Sequence, residues 1–127
     1  MQYLIDTQIM IWLESSPEKL SPAAGLILSS PGSFFLSKAS VWELVIKISV
    51  GKIKLEKPTD FFVTDFLNSF SIQLMDIGLS EILSQEKLPL FHKDPFDRLI
   101  IATAIKNDMT ILSSDDLFDK YPVKRIW

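Results

Sequence analysis

The chain has 127 residues, with 13 Lys+Arg against 16 Asp+Glu, one histidine and no cysteine, for a formal charge of −3. That length suits one domain, residues 1–127, with a core of ordinary size. The missing cysteine excludes disulfides, thiolate zinc sites and cysteine nucleophiles and suits a reducing cytosol, while the mild acidity excludes coating nucleic acid by bulk charge. Any phosphate-bearing ligand must then be met by a local patch or through metal ions. No uncharged apolar stretch approaches the ~18 residues that span a bilayer. The opening MQYLIDTQIMIW reaches an acid at its sixth residue and lacks the basic start and cleavage site of a secretory leader, so a cytoplasmic location without a membrane partner is expected.

Tyr3-Leu4-Ile5 is a short apolar run ending in Asp6-Thr7, and Ile9 to Leu13 continues as a helix that stops before Pro17. Ser21-Pro22 supplies an N-cap and a first-turn proline for a helix through about Ser30. Pro31-Gly32 then turns the chain into Ser33-Phe34-Phe35-Leu36, a second strand. Ser37 or Lys38 opens a helix over roughly Ala39 to Ser49, which Gly51 stops. Thr59 or Asp60 caps a phenylalanine-rich helix with Phe61, Phe62 and Phe66, and Ile72 to Met75 reads as a third strand. A short helix follows near Leu79 to Gln85. Asp94-Pro95-Phe96-Asp97 opens a long apolar helix, Leu99 to Lys106, and Met109 to Leu112 and Val123 to Trp127 supply a fourth and a fifth strand. Short, wholly apolar strands alternating with helices predict an α/β fold, a mainly parallel sheet covered on both faces.

Ligands of open parallel sheets bind at the carboxyl ends of the strands. Asp6 closes the first strand and Asp115 stands just beyond the fourth, while Glu43 and Asp97 lie near the starts of helices that begin on that edge. Four carboxylates distant in sequence can therefore meet. Crowded in a pocket of low dielectric they need cations, and hard oxygen ligands select Mg²⁺ or Mn²⁺.

Each acid also has a structural reading. Asp6-Thr7 is equally suited to capping the first helix, Asp94 and Asp97 fit the cap and third position around Pro95, Asp115 follows two serines as a cap would, and Glu43 can pair with Lys47 on a solvated face. His92 reads as a loop residue rather than a base. Trp12, Trp42 and the phenylalanines read as core, with partner surface as the alternative. From Lys38 to Lys57 five lysines face two glutamates, which is either a track for a phosphate backbone or a solvated segment.

Taken together, Leu4-Ile5-Asp6-Thr7, then Ser40-Val41-Trp42-Glu43-Leu44 with Lys47 and Gly51-Lys52-Ile53, then His92-Lys93-Asp94-Pro95-Phe96-Asp97-Arg98, then Leu112-Ser113-Ser114-Asp115 resemble the four blocks of the PIN-domain family. The likeness is closer still to the PilT N-terminus-like, VapC-like ribonuclease toxins of type II toxin–antitoxin modules, and it covers essentially the whole chain. Gln8 stands where such proteins often carry His or Asn, and Ser113 where Thr is common. The resemblance implies a three-layer α/β/α sandwich with a sheet of about five strands. It implies an endoribonuclease, a hydrolase whose Asp6, Glu43, Asp97 and Asp115 hold one or two Mg²⁺ or Mn²⁺ ions, with Thr7, Gln8, Ser113 and Asp94 supporting them. Lys47, Lys52, Lys93 and Arg98 are candidates for the RNA backbone, and a cognate antitoxin and a homodimer are the implied partners. A PIN-type RNA-maturation or DNA nuclease, or a non-catalytic α/β interaction module, are the alternatives. A phosphatase with Asp6 as nucleophile is disfavoured, because Gln8 stands where that chemistry needs a second Asp.

Overall fold

Every strand pairing in the sheet is parallel, which forces each connection between strands to cross over one face. The computed structural model describes residues 1–127. In chain order the elements are β1 (Gln2–Ile5), α1 (Thr7–Ser15), α2 (Pro22–Leu28), β2 (Ser33–Ser37), α3 (Lys38–Ser49), α4 (Thr59–Ser69), β3 (Ile72–Met75), α5 (Leu79–Ser84), α6 (Pro95–Asn107), β4 (Thr110–Leu112) and β5 (Lys124–Ile126), with single 3-10 turns at Pro17–Lys19, Gln85–Lys87 and Asp116–Lys120. The strand order is β3-β2-β1-β4-β5. Connections from β1 run outward through β2 to β3 on one side, and the later strands β4 and β5 fill the other. The order therefore reverses between β1 and β4, and the crevice beyond their carboxyl ends is the switch point of the fold.

Alternation along the strands builds two cores. Ile5, Phe34, Leu36, Ile72 and Leu112 point to one face and are covered by Ile9 and Met10 of α1, Ala24 and Leu28 of α2, Leu44 of α3 and Phe62 and Phe66 of α4. Leu4 and Ile111 point to the other, under Ile100, Ile101 and Ala104 of α6 and Phe118 and Tyr121 of the last turn. The result is the expected three-layer α/β/α sandwich.

Local chemistry sets most of the element ends. The Ser21 hydroxyl accepts from Ala24 N at 3.0 Å with Pro22 in the first turn, as predicted. The same helix stops at Leu28 rather than Ser30, because the Ser29 and Ser30 hydroxyls turn back onto the carbonyls of Gly25 and Leu26. Gly51, at φ +79°, donates to Ile48 O while Lys52 N donates to Lys47 O, so α3 closes in a Schellman turn. Neither Thr59 nor Asp60 caps α4. Pro58 occupies the cap without a side-chain acceptor, and Asp60 accepts only from the adjacent Phe61 N.

Two surface readings are corrected. Trp42 is 59% exposed and packs edge-on against Phe96, outside both cores, and Phe61 is exposed beneath Lys57. Phe62 and Phe66 are core residues, as expected.

Candidate functional site

At the switch point β1 and β4 are joined first by backbone and then by side chains. Asp6 N donates to Leu112 O at 3.1 Å. One residue on, the buried Ser113 hydroxyl donates to Asp6 Oδ2 at 2.7 Å and accepts from Asp115 N at 3.0 Å. A single hydroxyl thus fixes one carboxylate directly and the loop of a second. Arg125 on β5, held by both carboxylate oxygens of Asp119, donates to Ser113 O at 3.0 Å and pins the same loop from the other side.

Asp6 occupies the cap position of α1 but makes no side-chain capping bond, so the capping reading does not account for it. Its carboxyl lies above the usual carboxylate range, chiefly because it is buried. Glu43 and Asp115 add negative potential, and the Ser113 hydroxyl offsets only part of the rise. Asp97 lies one turn into α6. Its pKa is pushed up to about 8, first by burial and then by the fields of Asp6, Asp94, Glu43 and Asp115. That response places the four predicted carboxylates in one electrostatic unit.

The remaining site residues fall into place around them. Asp94 caps α6, accepting from Phe96 N at 2.8 Å and Asp97 N at 3.4 Å, and so holds the backbone that presents Asp97. Glu43 faces inward on α3. Its Oε2 accepts from Lys47 Nζ at 2.9 Å, which realises the predicted pair, but on a buried rather than a solvated face. Its Oε1 is buried without a hydrogen-bond partner, as are the hydroxyls of Thr7 and Ser40. Gln8 is half-buried on the first turn of α1.

Of the predicted backbone contacts, Lys52 and Lys93 are exposed, whereas Lys47 is engaged with Glu43. Arg98 is not available to a ligand. It is 8% exposed, and its guanidinium donates to the carbonyls of Gln85, Leu88, Pro89 and His92 at 2.6–3.2 Å. Gln85 O also accepts from Leu88 N, but the Leu88, Pro89 and His92 carbonyls have no helical or strand partner, and Arg98 supplies their donor. Along the lysine-rich segment, Lys38 pairs with Asp76 and Lys57 with Glu14 and Asp65. Only Lys52 and Lys54 remain without an ion pair.

His92 lies in a loop, as the sequence suggested, but it is turned inward against the site, which the sequence did not indicate. It is buried, stacks on Phe118 at 4.8 Å, and lies with Nε2 2.8 Å from Asp115 Oδ2. Its ring and the carboxylates of Asp97 and Asp115 offer ligand atoms within 4.8 Å of one another. The signal in the sequence was only that the one imidazole precedes the Asp94 cap by two residues. A cleft of about 620 Å³ lies elsewhere, lined by Gln2, Ala104, Thr110 and Lys124, and it holds none of these acids.

The residues fit a divalent cation. Buried carboxylates crowded beyond what Lys47 neutralises, with an inward Glu43 oxygen left unpaired, are short of positive charge, and an all-oxygen set suits a hard ion. Fold and site together define an α/β/α domain with a carboxylate centre at its switch point.

That definition agrees with the PIN-domain family model, which matches residues 3–124, and the chain belongs to the PIN-domain family. It is similar to the ribonuclease VapC22 of Mycobacterium tuberculosis, 26% identical over 115 residues that cover 88% of this chain and 85% of that protein. In fold it matches a chain of VapBC2 from Rickettsia felis bound to a DNA fragment from the promoter, with TM-score 0.71 and 18% identity, covering 100% of this chain and 99% of that one. VapBC-1 from nontypeable Haemophilus influenzae matches with TM-score 0.69 and 15% identity, over 99% and 97% of the two chains. No helix is long and apolar enough to cross a membrane.

Proposed function

We propose that this protein is a metal-dependent endoribonuclease, the toxin of a type II toxin–antitoxin module, acting in the cytoplasm with Asp6, Glu43, Asp97 and Asp115 as the residues that hold Mg²⁺ or Mn²⁺. The observation that carries the reading is the electrostatic coupling of these four acids at the β1/β4 switch point, where burial first and then the neighbouring carboxylates push the Asp97 pKa up to about 8. A bound ion in such a site supplies a Lewis acid for phosphodiester hydrolysis, lowering the pKa of the attacking water and offsetting charge on the leaving oxygen.

The chain's own side chains do the positioning. Ser113 commits one oxygen of Asp6 and so fixes the carboxylate's orientation. Lys47 holds Glu43 by one oxygen and leaves Oε1 buried without a partner. Asp97 gives up its proton when positive charge arrives, so ion binding and proton release are linked. Thr7 and Ser40 carry buried hydroxyls without a partner, and Thr7, next to Asp6, supports the carboxylates from inside the fold. Lys52 and Lys93 provide cationic contacts for the RNA backbone outside the pocket. A reading of the acids as caps accounts for Asp94 and for one oxygen of Asp115, but not for Asp6, Glu43 or Asp97.

The VapC22 relative is a ribonuclease, and several structural neighbours are toxin–antitoxin complexes, which supports an RNA substrate and a cognate antitoxin here; a homodimer is proposed with them. The deciding assay is cleavage of RNA by the purified protein with Mg²⁺ or Mn²⁺ and with EDTA. Cleavage is expected only with the metal, and Asp6→Asn is expected to abolish it without lowering the metal-free melting temperature. Full activity in Asp6→Asn, or undiminished activity in EDTA, sinks the assignment.

A further inference from the structure

We infer that His92 is a positioning residue for the carboxylate centre: its Nε2–H, fixed in that tautomer by Tyr121, holds Asp115 so that the carboxylate keeps one orientation toward a bound cation. The inference rests on the metal-centre reading above. It gives a role to the one buried imidazole in the chain, which that reading does not use.

The hydrogen-bond network fits a neutral ring with its hydrogen on Nε2. Tyr121 Oη accepts from His92 N at 2.7 Å, so its own hydroxyl hydrogen is directed to another acceptor. His92 Nδ1 lies 3.3 Å away and is that acceptor. With Nδ1 receiving, the neutral ring carries its hydrogen on Nε2, which faces Asp115 Oδ2 at 2.8 Å. A ring nitrogen that donates to a carboxylate has no lone pair for a cation, so His92 acts through Asp115 and not as a ligand. This is the carboxylate counterpart of the outer partners that orient ligands at metal sites.

Asp115 is held at both ends. Its Oδ1 accepts from Leu117 N at 3.0 Å, capping the turn over Asp116–Lys120, and its Oδ2 accepts from His92, so each oxygen keeps a lone pair for the site while rotation of the group is blocked. The imidazole in turn has little freedom. Phe118 stacks on it at 4.8 Å and 26°, and Arg98 donates to its carbonyl and to three others of the loop that carries it. Arg98 follows Asp97 directly on α6. One helix therefore presents one carboxylate of the centre and, through Arg98 and His92, sets the orientation of another.

Because the chain has a single histidine, imidazole ¹⁵N labelling reports on this residue alone. In metal-free protein the spectrum is expected to show the Nε2–H tautomer, and Tyr121→Phe is expected to shift it toward a mixture. For Mn²⁺ binding measured by calorimetry, His92→Phe keeps the stacking surface but has no donor, and is expected to weaken affinity by about 10- to 100-fold. His92→Gln restores an N–H donor and is expected to recover most of that loss. Electron spin-echo spectra of the Mn²⁺-loaded parent protein are expected to show no imidazole ¹⁴N coupling.

An Nδ1–H tautomer in the parent protein, or parent-like Mn²⁺ affinity in His92→Phe, overturns the role of His92 while leaving the metal centre standing. Imidazole ¹⁴N coupling overturns it in favour of direct ligation. Failure of the parent protein itself to bind Mn²⁺ removes the metal centre and this inference with it.

Discussion

Asp97 is the residue on which electrostatic cost is most concentrated. In the unfolded chain it titrates near its ordinary value of 3.8, whereas in the fold burial and four acidic neighbours hold it protonated to about pH 8. Between those values the unfolded chain releases a proton that the folded chain keeps, so stability is full below about pH 4 and falls as pH rises toward 8. Asp97→Asn removes that dependence. In EDTA the variant is expected to melt above the parent at pH 8 by on the order of 2 kcal/mol, after solvent screening at this half-buried position, and to match it near pH 4. Thermal melts across that range decide it, and parallel curves for the two proteins would refute the crowding. Asp6, Glu43 and Asp115 stood out in the sequence because each interrupts or follows an apolar run, and Asp97 because it lies at the start of a long apolar helix. His92 did not, since Asp115 and Tyr121 lie 23 and 29 residues away and leave no local pattern. Arg98 misled for a related reason. A cation beside an acid looks like a ligand contact until the loop carbonyls it serves are known.

At the scale of elements, α3 and α6 carry the centre and differ in how their ends are secured. The Schellman turn at Gly51 requires φ +79°, and a methyl group there meets nothing within 4 Å, so the cost of Gly51→Ala is conformational alone. A loss of about 1 kcal/mol is expected in urea unfolding, with RNA cleavage unchanged. α6 depends instead on Asp94 at its start and on Arg98 beneath it. Arg98→Met fills the space but leaves the Leu88, Pro89 and His92 carbonyls without a donor, and a loss of about 3 kcal/mol is expected. RNA binding by an inactive Asp6→Asn background should be unaffected by the same change; a clear drop there would return Arg98 to the ligand surface. Helix starts marked by Ser21-Pro22 and Asp94-Pro95 were readable because a cap and a first-turn proline sit together. The start of α4 was not, since Pro58 fills its cap without any side-chain acceptor to announce it.

For the molecule as a whole, the parallel sheet followed from strands that are apolar on both faces, as Leu4 and Ile5 or Ile111 and Leu112 illustrate by serving opposite cores. Strand order was beyond such reasoning, because the pairing of β1 with β4 depends on contacts between distant parts of the chain. The charge deficit of the centre carries a prediction at this scale. A cation that binds only the folded chain stabilises it by mass action, so Mn²⁺ at about 100 times its dissociation constant should add about 2.7 kcal/mol. The gain should vanish in Asp6→Asn/Asp97→Asn, and calorimetric scans with and without the ion measure it.

The bond from Ser113 to Asp6 spans 107 residues of chain. At synthesis rates of about 5–20 residues per second, roughly 5–20 s separate the appearance of Asp6 from that of its partner. Throughout that interval β1 has β2 as a neighbour but lacks β4 on its other side, and no arrangement of the earlier elements supplies the Ser113 hydroxyl or Asp115. The carboxylate centre is therefore assembled only when nearly the whole chain has been made.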